Sequence, residues 1–262
     1  MDIMMPHSSS RLILVTPNAE HRIFHDWLSS KDGGMDRVHE ISGRNELMTH
    51  RLGHKNYNKR CYALENERGG LLSVIYTHWM TATNVQGDES WRQLPGNIDS
   101  ILAEPSQPLK TEPDMVVFYS ISSFADKSGR PLIASVYDQF TSAANPPILT
   151  TLSPLRTLQA WLNKERLKLE GTEEARLATV SRYLKLKQDP VEKFHLGNGA
   201  QVGAIHFNAS AEGRRDSIEG AGVMVNYRYP RVRARLQDNA RIFRQENSET
   251  IPASNHLQVF LG

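Results

Sequence analysis

Phe194-His195-Leu196-Gly197-Asn198-Gly199-Ala200 and, further on, Gly222-Val223-Met224-Val225-Asn226-Tyr227-Arg228-Tyr229 are the two stretches on which the reading of this chain turns. The second starts apolar and gives way to an Asn-Tyr-Arg-Tyr run, the pattern of a strand whose alternate side chains face one side. Asn226 and Arg228 then share one face, and Tyr227 and Tyr229 the other. The first sets a histidine beside an Asn-Gly pair, a turn-forming dipeptide that leaves backbone N–H groups to donate. An imidazole, tyrosine hydroxyls and such donors together can protonate or polarise a carbonyl.

Outward from this core, residues 202–207 read as a strand and 208–219 as a polar loop. Upstream, 173–187 reads as a helix with acidic residues in its first turn and lysines in its last. Leu177, Val180 and Leu184 face inward, and Asp189-Pro190 stops the helix. Residues 148–152 form a β-rich strand ending in Ser153-Pro154, which on its own is a helix N-cap with proline at N1; the helix expected after it covers 158–169. Residues 115–122 read as a strand buried on both faces, followed by a helix over 132–143. Strands over 61–64 and 71–79 make a hairpin through Asn66-Glu67-Arg68-Gly69-Gly70. The chain opens with a strand over 11–15 and a helix capped by Thr16-Pro17; a second helix, capped by Ser42, spans 42–52. It closes with a helix from Pro230, whose Val232, Leu236, Ala240 and Phe243 form an apolar stripe among arginines.

Composition excludes several classes. The chain has 262 residues, 39% hydrophobic and 23% charged, which suffices for one domain with a core that needs no metal or disulfide. Cys61 is the single cysteine, read as a small buried strand residue in a reducing compartment. No apolar run is long enough for a membrane span and Met1–Ser10 lacks a signal-peptide core, so a cytoplasmic location is expected. A net charge of +2 supports no nucleic-acid partner by itself. Walker, dinucleotide-fold and nucleophile-elbow motifs are absent from the sequence, as are paired-cysteine zinc sites. His21 and His25 stand one helical turn apart without a third ligand and read as a partly exposed face.

The two opening stretches resemble the C-terminal catalytic domain of malonyl-CoA decarboxylase, which carries Phe-His-Leu-x-Asn-Gly-Ala and Gly-Leu-Met-x-Asn-Tyr-x-Tyr blocks. Phe118-Tyr119-Ser120-Ile121-Ser122 and Thr151-Leu152-Ser153-Pro154 with Trp161-Leu162 resemble two further family blocks in the same order, and Lys59-Arg60-Cys61-Tyr62-Ala63 a fainter one. The resemblance runs over about residues 37–262 and implies an α/β (α+β), GNAT-like fold, a mixed central sheet flanked by helices, in a single acyl-CoA-binding domain without the helical domain that precedes it in the family.

It further implies decarboxylation of a malonyl thioester to the acetyl thioester and carbon dioxide, with no cofactor beyond the coenzyme A moiety of the substrate. His195 and Ser153 match the family's catalytic dyad, Tyr229 its last tyrosine, and Ser120 and Asn198 are secondary candidates. The GNAT step from strand to helix implies a pyrophosphate cradle at Ser128, Gly129 and Arg130, although this loop carries fewer glycines than the family's. In the family's Ile-Asn-Trp-x-Ala-Asp pattern, Ile205-His206-Phe207-Asn208-Ala209-Ser210 has a hydroxyl in place of the carboxylate. The alternatives are a coenzyme A-dependent N-acyltransferase and a non-catalytic acyl-CoA-binding module. The arginines of the last helix leave contact with coenzyme A phosphates, a carrier protein or RNA open, and the oligomeric state is open too.

Overall fold

The computed structural model describes residues 10–28, 41, 43–67, 69–81, 94–124, 129–139, 147–210 and 215–229. Its elements are, in chain order, β1 (Arg11–Val15), α1 (Arg22–Leu28), α2 (Arg44–Glu46), β2 (Lys59–Glu65), β3 (Leu71–Met80), α3 (Ile98–Ala103), β4 (Met115–Ser123) and α4 (Gly129–Asp138). There follow β5 (Ile148–Thr151), β6 (Ser153–Pro154), α5 (Leu158–Glu165), α6 (Glu173–Lys185), α7 (Pro190–Gly197), β7 (Gln201–His206), α8 (Arg215–Gly220) and β8 (Met224–Tyr229). They divide into two units: β1–β4 with α1, α2 and α4 in the first, and the remaining elements in the second.

In the first unit the strands run antiparallel in the order β1, β2, β3, β4. The β2–β3 hairpin closes as its turn residues dictate: Asn66 Oδ1 accepts the Gly70 N–H at 2.8 Å, and Gly69 takes a left-handed φ of 77°, which favours glycine. Leu64, Val74, Ile75, Val116 and Val117 are buried in these strands, each contributing roughly 1.5–3 kcal/mol by leaving water. Cys61 is fully buried in β2, and desolvation raises its thiol pKa.

Three local expectations change here. Thr16 does not cap a helix, because its hydroxyl bonds His21 Nδ1 at 3.0 Å; α1 starts only after a short turn at Ala19–His21. His25 is 1% exposed, and its Nε2 bonds the Thr16 carbonyl at 2.7 Å, so it is a satisfied interior histidine rather than part of an exposed face. The helix expected over 42–52 is a single turn, α2, that continues as a π-turn, Leu47–Arg51; Ser42 lies outside the described residues.

In the second unit β8 is the hub. β5 and β6 pair with its one edge in a single register, Leu149 opposite Tyr229 and Ser153 opposite Val225, and β7 pairs with the other. Ser153 is therefore a strand residue and not a helix N-cap, and α5 begins later, at Leu158. α5 also stops at Glu165, short of its expected end, where Arg166 turns left-handed with φ 54°. Leu177, expected inward, is 43% exposed, while Val180, Tyr183 and Leu184 carry the buried stripe of α6. The loop expected over 208–219 contains a short helix, α8. Among the described residues no helix is long and apolar enough to cross a membrane, and no cluster could hold a metal ion.

Candidate active site

The site of the second unit is assembled by α7 and β8. α7 starts where Asp189, fully buried, accepts the N–H groups of Val191 and Glu192 at 2.9 and 3.3 Å, with Pro190 at the first helical position. The other carboxylate oxygen of Asp189 accepts the Tyr183 hydroxyl at 2.8 Å and the Thr157 N–H at 3.0 Å, which ties α7 to α6 and to the start of α5. α6 has already ended at Lys185, so the dipeptide expected to stop it instead begins the helix that carries His195.

α7 ends at Asn198, and Gly199 has φ 87°. The N–H groups of Asn198, Gly199 and Ala200 all return to carbonyls of the last turn, so the exposed donors expected of the Asn-Gly pair are consumed in ending the helix. Asn198 is fully buried at this cap.

His195 is 3% exposed. Its Nε2 lies 3.1 Å from Ser153 Oγ, and its Nδ1 lies 2.8 Å from the Tyr229 hydroxyl. The Tyr227 ring stacks on it, with centroids 4.6 Å apart and planes at 22°, while Tyr229 meets it edge-on. Strand alternation explains both contacts, since Tyr227 and Tyr229 are two residues apart on one face of β8. Opposite them, Thr151 and Ser153 are likewise two apart: Ser153 Oγ donates to Thr151 Oγ1 at 3.1 Å. Thr151 Oγ1 also accepts the Tyr227 N–H at 3.1 Å, and Asn226 Nδ2 donates to the Thr151 carbonyl at 2.6 Å. The side chains of Thr151 and Asn226 thereby bridge the gap between β5 and β6 against β8.

With the Ser153 proton directed to Thr151, the tautomer that completes the chain has Nε2–H donating to the serine oxygen and Nδ1 accepting from Tyr229. Burial pushes the His195 pKa down to about 3, so the ring is neutral. One turn earlier Glu192 is 1% exposed, and desolvation followed by the charge of Asp189 pushes its pKa up to about 7. Desolvation also raises the Tyr227 phenol. On the far side of β8, His206 Nε2 bonds Asn226 Oδ1 at 2.5 Å.

Of the residues singled out from the sequence, Ser153, His195 and Tyr229 form one hydrogen-bonded chain, with Asn198 at the end of the same helix. Ser120 belongs to the first unit, in β4 opposite Tyr76. Gly129 is the first residue of α4 and Arg130 the second; Ser128 lies outside the described residues, as does the helix expected from Pro230. Sequence reasoning missed Thr151 and Asp189 as parts of the site, and it placed Asn226 and Tyr227 on their strand faces without giving either a role of its own. Thr151 and Tyr227 could have been found from the period-2 spacing that places each beside a residue already chosen.

Residues 170–258 match the family model of the malonyl-CoA decarboxylase C-terminal domain, a span that contains His195, Asn198 and Tyr229 but not Ser153. No curated protein matches the chain. Among solved structures it is similar to the malonyl-CoA decarboxylase of Agrobacterium vitis, with 23% identity over 97% of this chain and 67% of that one at a TM-score of 0.62. The enzyme of the same name from Cupriavidus metallidurans shares 19% identity over 95% of this chain and 67% of that one, with a TM-score of 0.60. GphF, a GNAT-like decarboxylase in complex with isobutyryl-CoA, shares 16% over 84% of this chain and 98% of that one, with a TM-score of 0.55. The fold is GNAT-like, and the resemblance to malonyl-CoA decarboxylase is carried by sequence over 170–258 and by fold over nearly the whole chain.

Proposed function

We propose that this protein is a decarboxylase acting on a malonyl or related thioester of coenzyme A, with Ser153 and His195 as its proton-handling pair and Tyr229 behind them. The observation that carries this reading is the continuous contact from Ser153 Oγ through both ring nitrogens of His195 to the Tyr229 hydroxyl. Similarity to proteins named malonyl-CoA decarboxylase, and to a GNAT-like decarboxylase holding an acyl-CoA, supports the substrate class.

Loss of carbon dioxide breaks the bond between the carboxylate carbon and the α-carbon, and the electron pair stays behind as a thioester enolate. That enolate needs one proton at carbon. Ser153 gives it, turning its O–H from Thr151 to the substrate, while His195 Nε2–H, held in place by Tyr229 at Nδ1, donates to the serine oxygen as negative charge develops there. Solvent restores the serine proton once the acetyl thioester leaves. A thioester enolate is far more basic than an alkoxide, so the transfer to carbon runs downhill. The imidazole stays neutral throughout, which agrees with its depressed pKa. Such positioned proton transfer is typically worth about 10²–10⁴ in rate. Stacking on Tyr227 and burial hold the ring in one orientation, so little reorganisation accompanies each turnover.

The test is to incubate the purified chain with malonyl-CoA alone. Acetyl-CoA and carbon dioxide in equal amounts support the proposal. Free coenzyme A released only when an amine is added would replace it with acyl transfer, and binding without turnover would replace it with a non-catalytic module.

A further inference from the structure

The ladder that joins β5 and β6 to β8 is interrupted beside Ser153. Leu149 faces Tyr229, Thr150 faces Arg228 and Ser153 faces Val225 in one register, and the pairing skips Thr151 and Leu152. Side chains close the gap. Thr151 Oγ1 takes the Tyr227 N–H at 3.1 Å, and Asn226 Nδ2 donates to the Thr151 carbonyl at 2.6 Å. Ser153 is two residues further on, and its Oγ has to arrive 3.1 Å from His195 Nε2. Where Thr151 is held therefore decides where Ser153 points.

His206 controls the amide that does this holding. β7 slips by one residue against β8 between Val202 and Ile205, so Gly203 and Ala204 both stand against Asn226, and His206 comes to face Met224. His206 is thereby diagonal to Asn226 on the face of β8 turned away from His195, and its Nε2 lies 2.5 Å from Asn226 Oδ1. The proton directions follow one from another. The Thr151 carbonyl only accepts, so Asn226 turns its NH2 group to it and its oxygen to His206. That oxygen also only accepts, so His206 Nε2 carries a proton. An amide rotated by half a turn would set its oxygen against the carbonyl and its NH2 group against the Nε2–H, two repulsive contacts in place of two bonds. Asn226 is fully buried, so water relieves neither. Gly96 seats the imidazole from behind: a Cβ there would come within 2.7 Å of His206 Nδ1, so glycine is needed for the space it leaves.

We propose that His206 is a positioning residue for the Ser153–His195 pair, locking the Asn226 amide in the one orientation that holds Thr151 and, with it, Ser153. Its kinetic consequence rests on the decarboxylase reading; the hydrogen-bonded route from His206 to Ser153 is complete without substrate.

The experiment compares His206→Leu, which removes the donor, with His206→Gln, whose side-chain N–H reaches the place of Nε2–H. One readout is kcat and KM for malonyl-CoA. The other, in the unliganded protein, is the proton resonance of His195 Nε2–H, whose shift and exchange with water report its bond to Ser153. His206→Leu lowers kcat about tenfold at unchanged KM and displaces or broadens the His195 resonance. His206→Gln keeps the resonance in place and retains about half of kcat or more. Gly96→Ala, which crowds the ring, gives a loss between the two. Circular dichroism checks that each variant is folded. An unchanged His195 resonance in His206→Leu, or a His206→Gln variant as impaired as His206→Leu, would overturn the assignment; in an active enzyme a change in KM alone would do the same. A chain that releases no carbon dioxide from malonyl-CoA refutes the decarboxylase reading, and the resonance then decides the role of His206 by itself.

Discussion

The two units bury opposite charges. Among the described residues of the first unit, Arg51, Lys59 and Arg60 are buried basic residues, and Glu65 is the buried acid, held by Arg11. Among those of the second, the buried ionisable residues are Asp189, Glu192 and His195, with no buried lysine or arginine. In the first unit these cations sit in structural contacts: Arg51 pairs with Glu46, and Arg60 lies over the Trp79 ring. In the second unit burial instead suppresses charge: His195 is held neutral and Glu192 is shifted toward its protonated form. A neutral ring held in one orientation suits a site that handles a proton without itself taking up charge.

The largest effect that would break this contrast is on turnover. His195→Ala and Ser153→Ala should each lower kcat for malonyl-CoA decarboxylation by about 10²–10⁴ with an unchanged circular dichroism spectrum; full activity in either variant would remove the proton-handling role. Next comes acid stability. An unfolded histidine has pKa 6.5, and His195 in the fold has about 3. The folded state therefore binds fewer protons than the unfolded one, and stability present above pH 6.5 is lost as pH falls toward 3, by on the order of 4 kcal/mol. His78, pushed down to about 3 by burial and then by Lys59, adds an acid limb of its own in the first unit. Urea denaturation at pH 7 and pH 4 measures the loss, and His78→Gln should reduce it.

Glu192 has the reverse sign. Its folded pKa of about 7 lies above the ordinary value of 4.5, so its penalty is absent below pH 4.5, grows up to 7 and stays full above it. Glu192→Gln should accordingly stabilise the chain at pH 8 by about 1–2 kcal/mol and leave it unchanged at pH 4. Smallest is Tyr229→Phe, which keeps the ring edge against His195 but removes one hydrogen bond; a fall of about tenfold in kcat at unchanged KM is expected.

Much of this was legible in the sequence, for reasons that differ by residue. The β2–β3 hairpin follows from alternation and from an Asn-to-Gly turn whose hydrogen bonds are local. The shared face of Tyr227 and Tyr229 follows from the two-residue repeat of a strand. The meeting of Ser153 with His195, 42 residues apart, is a tertiary contact that no spacing encodes, and only the resemblance of ordered blocks pointed to it.

Where the reading failed, one local signal served two structures. Ser-Pro suits an N-cap as well as a short strand, and the pairing with Val225 decided for the strand. Asp189-Pro190 was read as the end of a helix, yet the same aspartate and proline are the cap and first position of the next. His25 looked like surface because its partner, the Thr16 carbonyl, is brought over it only by the turn between them.

The account depends most on a neutral imidazole holding Ser153 on one side and Tyr229 on the other. Nitrogen-15 magnetic resonance of the His195 ring, followed from pH 8 to pH 4 in the unliganded protein, tests it directly. The account predicts a neutral ring over the whole range, with the proton on Nε2. A ring that takes up a second proton near pH 6.5 would contradict it.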